Sequence, residues 1–163
     1  NEPYESFKGL RMGEDLFQLL PIIDSASSLA YMEEVLYFYR SNKQSSTFAY
    51  SHAYLLNTEM VANRLLDYGE RWGMRAEALH GIVVLYVSIV KLLVRHSGDR
   101  TLNELKAISC SLKQLDSDLL NFLHDERFDR QLIIHATLCC DLKRVRFAVR
   151  AVDFVKWFSL KLK

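Results

Sequence analysis

Residues 101–123 read TLNELKAISCSLKQLDSDLLNFL. Within them Leu105, Ile108, Leu112, Leu115, Leu119 and Phe122 recur three and four residues apart. That spacing puts all six on one face of an α-helix. The seam is narrow, as a neighbouring helix in a coiled coil requires. Just ahead, Thr101-Leu102-Asn103-Glu104 fits a capping box. In that motif the Thr hydroxyl accepts a bond from the amide at Glu104, and the Glu carboxylate reaches back. A helix over 102–123 follows. Its seam has two uses open to it. It packs inside its own bundle, or the uncovered part of Leu105, Ile108, Leu112, Leu115 and Leu119 anchors a partner helix or a second copy.

The same periodicity extends outward in both directions. Pro3 and Pro21 are the only prolines, and beyond Gly13 only Gly69, Gly73, Gly81 and Gly98 interrupt the chain. So little punctuation excludes the many tight turns of an all-β fold. The expectation is an all-α fold, a single helical domain over 1–163 with five to six helices in a bundle. Residues 1–12 look loosely structured. A short helix over 13–20 should end or kink at Pro21. Asp24 is placed to N-cap a helix over 25–40, with Leu29, Met32, Leu36 and Tyr39 on one face. After a polar connection at 41–46, a long helix covers 47–72, with Ala53, Leu56, Met60, Leu65 and Tyr68 inside. Gly73 interrupts or bends it. The helix over 74–96 carries a wide stripe of Leu79, Ile82, Val83, Tyr86, Ile89, Val90 and Leu93, as an element surrounded by others requires. Gly98 suits its left-handed end. A last helix runs from about 125 past 158, with Phe128, Leu132, Cys139, Leu142, Val149 and Val152 as its inner line. Its final turns are expected to project.

The 163 residues are enough for one domain with a real core. The formal net charge of +1 gives no global pull toward nucleic acid. Charge is unevenly spread: residues 1–34 are acidic and residues 141–163 basic. Either the two ends meet in the fold, or the basic end meets an anionic surface. In the second case Lys143, Arg144, Arg150, Lys156 and Trp157 are the candidate contacts, because a basic amphipathic helix with aromatics suits a membrane surface or an acidic groove. The apolar run 82–90, ended by Lys91, is far shorter than the ~20 residues of a membrane span. Three cysteines, Cys110, Cys139 and Cys140, two of them adjacent, give no disulfide framework. That favours a reducing, cytoplasmic setting, with peripheral membrane contact, over a secreted helical cytokine. The chain opens at Asn1, as an excised domain or processed product would.

Candidate chemistry is sparse. No nucleophile elbow, phosphate-cradling loop or Cys-x-x-Cys pair occurs. His135 and Cys139 share a helix face, but two ligands make a poor metal site; both are expected in the core. No metal or cofactor is expected. Arg75 and His80, like Arg130 and His135, have four residues between them. This resembles the Arg–His signature of HEPN ribonucleases and makes Arg75 and His80 the catalytic candidates of that alternative, with Arg75 near a helix start where an anion can be held.

A second resemblance covers residues 29–93. The helix Ala30-Tyr31-Met32-Glu33-Glu34-Val35-Leu36 is followed by Tyr54, Leu56, Val61, Ala62, Asn63, Trp72-Gly73, Ala76-Glu77, Leu85-Tyr86 and Leu92-Leu93. The series resembles the C-terminal tandem-MIT, early autophagy targeting domain of autophagy-initiating serine/threonine kinases. It departs from that pattern by about one extra turn between Glu77 and Leu85, and by too little chain after Gly98 for a complete second module. The resemblance implies MIT-like antiparallel packing and a non-catalytic regulatory domain. Such a domain accepts an adaptor's amphipathic helix and touches membranes. The function expected is therefore protein interaction by helix docking, with the ribonuclease and a viral or phage helical adaptor as alternatives.

Overall fold

The computed structural model describes residues 10, 13–30, 32–34, 50–96, 101–115 and 119–161, the backbone alone for 120, 156, 160 and 161. Among the described residues the regular elements are all helical, as the periodicity requires. They are α1 (Glu14–Ser25), α2 (Ala53–Trp72), α3 (Arg75–His96), α4 (Thr101–Leu115), the four-residue α5 (Leu119–Phe122), α6 (Phe128–Leu138) and α7 (Leu142–Lys161).

α3 is the post around which the others stand. Ile82, Val83, Tyr86, Ile89, Val90 and Leu93 lie on it with no exposed surface. Burying a large apolar side chain contributes about 1.5–3 kcal/mol relative to leaving it in water. A helix apolar over so wide an arc needs cover on several sides, and α2, α4, α6 and α7 supply it. By length and composition α3 could also cross a membrane; in this fold its apolar arc is spent on the core. Tyr86 is wholly buried, and its hydroxyl meets Ser111 Oγ of α4 at 2.5 Å. Burial pushes this phenol up to about 12 against the pull of Ser111.

The α2–α3 turn is dictated by two glycines. Gly73 sits at φ 67°, ψ 24°, and its amide bonds Glu70 O while Met74 N bonds Gly69 O. Those two bonds make a Schellman motif, so Gly73 ends α2 outright. Gly69 lets the helices close: a Cβ there would stand 2.5 Å from Ala78 Cβ.

The α4 seam is consumed by the core. Leu105, Ile108, Leu112 and Leu119 are 0–2 % exposed, and Leu115 and Phe122 are half-buried against the same cluster. These residues pack inside the bundle and leave no uncovered row for a partner helix. Glu104 at the start of α4 accepts bonds from Tyr50 Oη at 2.9 Å and meets His52 Nδ1, tying the head of α2 to α4. Burial and Glu104 together raise the Tyr50 phenol above its ordinary range.

Several boundaries differ from expectation. α1 runs through Pro21 to Ser25. Asp24 is no N-cap: its carboxylate accepts Trp72 Nε1 at 2.8 Å and Arg71 Nη1 at 2.5 Å, strapping α1 to α2. Those donors, the indole first, hold Asp24 below the usual carboxylate range. Residues 26–30 and 32–34 are not helical, and Leu29 and Met32 are exposed. α2 starts at Ala53, six residues later than the periodicity suggests. The helix expected over 102–123 gives way to a 3-10 turn at Leu123–Asp125. The expected helix at 35–40, the connection at 41–46, the Gly98 stop and most of residues 1–12 lie outside the described residues.

Two measurements check this packing. Gly69→Ala should cost about 1–3 kcal/mol by overpacking, and adding Ala78→Gly should recover part of that loss in a double-mutant cycle by urea denaturation. The raised Tyr86 phenol stabilises the fold fully below pH 10, and that contribution is lost as pH climbs toward 12. Unfolding midpoints should therefore fall above pH 10, and less steeply in Tyr86→Phe.

Candidate functional site

The chain expected as one final helix is broken at Cys139-Cys140-Asp141. Cys140 takes φ 53° and its amide bonds Thr137 O. Asp141 Oδ1 then accepts the amides of Lys143 and Arg144 at 2.9 and 3.2 Å, a side-chain N-cap that starts α7 anew. α6 and α7 fold back as an antiparallel hairpin: residues 128–132 face 151–155, and residues 135–139 face 143–147.

One side of this hairpin seals the core. Ile133, Ile134, Ala136 and Thr137 of α6 and Val145, Ala148, Val149 and Val152 of α7 are buried. The opposite side is apolar too. On α7, Phe147, Ala151, Phe154 and Phe158 recur at four, three and four residues, and the three phenylalanines are 71, 63 and 51 % exposed. On α6, Phe128, Leu132, His135 and Cys139 follow the same rhythm, with Phe128 77 % exposed. Phe128 and Cys139 were expected on the inner line and are exposed; Leu132 is half-buried against the core cluster while also lining the groove, and the fully inner positions are Ile133, Ile134 and Ala136. Between the two outer stripes runs an open groove in two adjoining clefts of about 420 and 470 Å³, joined at Leu132. Beyond it the last turns of α7 leave the body. From Phe154 to Ser159 every described side chain is exposed, and Phe154 stacks at 6.1 Å from Trp157 and 6.4 Å from Phe158.

The basic residues frame this groove. Lys143 and Arg144 line its closed end, with Arg144 Nε 3.2 Å from Asp141. Arg127 stands at the open end, 3.2 Å from Asp129. Arg146 and Arg150 are exposed along α7, and Trp157 is half-exposed farther on. The side chain of Lys156 lies outside what the structure describes. The acidic N-terminal stretch does not neutralise this edge among the described ion pairs: Asp24 serves Arg71, and the α7 basic residues meet only Asp141.

The two Arg–His pairs are not used as the spacing suggested. Arg75 pairs with Glu70 across the α2–α3 turn. His80 instead faces Glu126 Oε1, 2.5 Å from its Nδ1, and Arg130 Nη1 lies 3.1 Å from its Nε2. Arg130 also holds Glu126 Oε2 at 3.0 Å, and the carboxylate side chain is only 1 % exposed. One histidine and one arginine from different pairs thus meet over a buried carboxylate and tie α3 to α6. Neither groove cleft is lined by Arg75, His80 or Arg130. His135 and Cys139, expected in the core, are exposed on the groove wall. No group of three metal-ligating side chains forms among the described residues.

The outer stripe was visible in the sequence as a second set of apolar positions on α7, offset from Val145, Val149 and Val152. It is masked when the hairpin is read as one continuous helix, because the break resets the phase.

No protein-family model, curated protein or solved structure matches this chain.

The two faces of the hairpin should respond differently to substitution. Phe147→Ser with Phe154→Ser should change unfolding free energy by only about 0.5 kcal/mol per site. Ile134→Ala on the inner face should cost about 2–5 kcal/mol. Urea denaturation measures both, and equal costs would contradict the assignment of faces.

Proposed function

We propose that this chain is a non-catalytic helical interaction domain that docks an amphipathic helix of a partner protein in the α6–α7 groove. The observation that carries the reading is the second apolar face of the hairpin. Phe128, Phe147, Phe154 and Phe158 stand exposed in a row-and-groove arrangement, although the inner faces of both helices already satisfy the core. Large contiguous apolar patches on a folded surface mark interaction sites. A groove between two helices, with Phe128 and Phe147 on its walls and Leu132 between them, is the form that accepts a third helix. A regulatory region like that of autophagy-initiating kinases, in the cytoplasm, would use such a groove for an adaptor subunit; the resemblance of residues 29–93 points the same way.

A second use has its own observation. The projecting end of α7 exposes Phe154, Val155, Trp157 and Phe158 around the helix, next to Arg150. Aromatics beside basic residues suit the interface of an anionic membrane, so peripheral membrane contact accompanies the docking role. The groove lends the ribonuclease alternative no support, since neither of its clefts is lined by Arg75 or His80.

The test is a selection. A displayed library of helical peptides, apolar at heptad positions and variable elsewhere, is panned on the full chain. Enriched peptides should compete with one another and shift the NMR signals of Leu132, Phe147 and Phe154. They should lose about thirtyfold in affinity against Phe147→Ser/Phe154→Ser. No enrichment over a scrambled library, or shifts confined to α1 and α2, would contradict the reading.

A further inference from the structure

The groove has a sided charge, and the charge specifies its occupant. Lys143 and Arg150 are seven residues apart on α7, as are Phe147 and Phe154. Positions seven apart return to nearly the same face of a helix. The basic pair therefore runs beside the aromatic stripe, with Lys143 on the groove wall near the α6–α7 turn and Arg150 farther along α7. Arg146 adds a third cation on α7. Lys143, Arg146 and Arg150 are all exposed, and none has a carboxylate within ion-pair distance among the described residues. The two aspartates near them are already engaged. Asp141 caps α7 and meets Arg144, and Asp153 holds Arg95 of α3 at 2.5 Å.

A helix lying on the stripe would thus have one flank against a row of cations with heptad spacing that no carboxylate neutralises among the described residues. A second copy of this chain would bring the same basic edge to that flank, like charge against like. A partner with acidic residues at the flanking heptad positions meets it instead with opposite charge. From this we infer that the partner is an acidic-edged amphipathic helix, with apolar residues at the a and d positions of a heptad and Glu or Asp on the edge that meets Lys143 and Arg150. The inference rests on the docking reading above and adds the chemistry of the partner. Exposed pairs of this kind contribute little singly, about 1.4- to fivefold in affinity each. Several in register select one partner over another, because the wrong edge is actively repelled.

Three synthetic three-heptad peptides separate the possibilities. They share Leu at a and d and differ only in carrying Glu, Gln or Lys at the flanking positions. Binding to the full chain is followed by fluorescence polarisation. The expected order is Glu, then Gln, then Lys, with at least about tenfold between first and last at low salt and a narrower gap at high salt. The charge-reversed variant Lys143→Glu/Arg150→Glu should keep its fold by circular dichroism and invert the order. Equal affinities for all three peptides, each lost in Phe147→Ser/Phe154→Ser, would overturn the acidic partner while leaving the groove standing. Failure of all three to bind would remove the groove itself. A parallel arm uses vesicles of phosphatidylserine and phosphatidylcholine. Vesicle capture abolished by the charge reversal, with no peptide bound, would assign the basic edge to a membrane and overturn the proposal.

Discussion

The rest of the structure depends on α3 being apolar over most of its circumference. Six of its side chains have no exposed surface at all. A helix of that kind cannot lie at the edge of a bundle, because every uncovered side would leave Leu, Ile or Val in water. α2 closes on it through Gly69, α4 through its leucine seam and the Tyr86–Ser111 bond, and the α6–α7 hairpin through its inner valines and isoleucines. Because the most regular apolar stripe in the chain is used up here, surface for a partner has to come from somewhere else.

We propose the back of the hairpin as that surface. α6 and α7 need only one face each to cover α3. A purely structural hairpin would carry polar residues on the other. Here the other face repeats Phe and Leu at helical spacing, and cations edge it. The core does not require this face, and water opposes it. The docking proposed above would account for both facts with one occupant, and the basic edge would set that occupant's sign. The turn at Cys140 and Asp141 matters to this outcome, since it folds two short amphipathic helices into a groove where one long helix would present only a ridge.

The all-α class and the central place of residues 74–96 follow from patterns local to each helix, and they could be read from residue spacing alone; spacing left open whether the α4 seam packs inside the bundle or docks a partner. Cap chemistry helped where it was local: Gly73 marks the end of α2 as its left-handed preference dictates. What spacing could not show depends on contacts far apart in the chain. Asp24 reads as an N-cap until Arg71 and Trp72 arrive from α2 to claim its carboxylate. His80 reads with Arg75 until the α3–α6 contact brings Arg130 and Glu126 to it. Phe128 and Cys139 read as core because a helix assumed continuous through Cys140 carries the wrong phase into α6. Among the described residues Asp24 of the acidic end pairs with Arg71 of α2 and Arg144 of the basic end with Asp141, so these ion pairs follow helix packing and not sequence position.

Amide hydrogen exchange on the intact chain tests the central claim most directly. If α3 is the post that α2, α4, α6 and α7 cover, amides of Ile82 to Val90 should exchange only through global unfolding, with the slowest rates in the molecule. The outer turns of α7 beyond Phe154 should exchange by local opening. Fast exchange along α3, at rates like those of the exposed end of α7, would contradict this architecture and the groove derived from it.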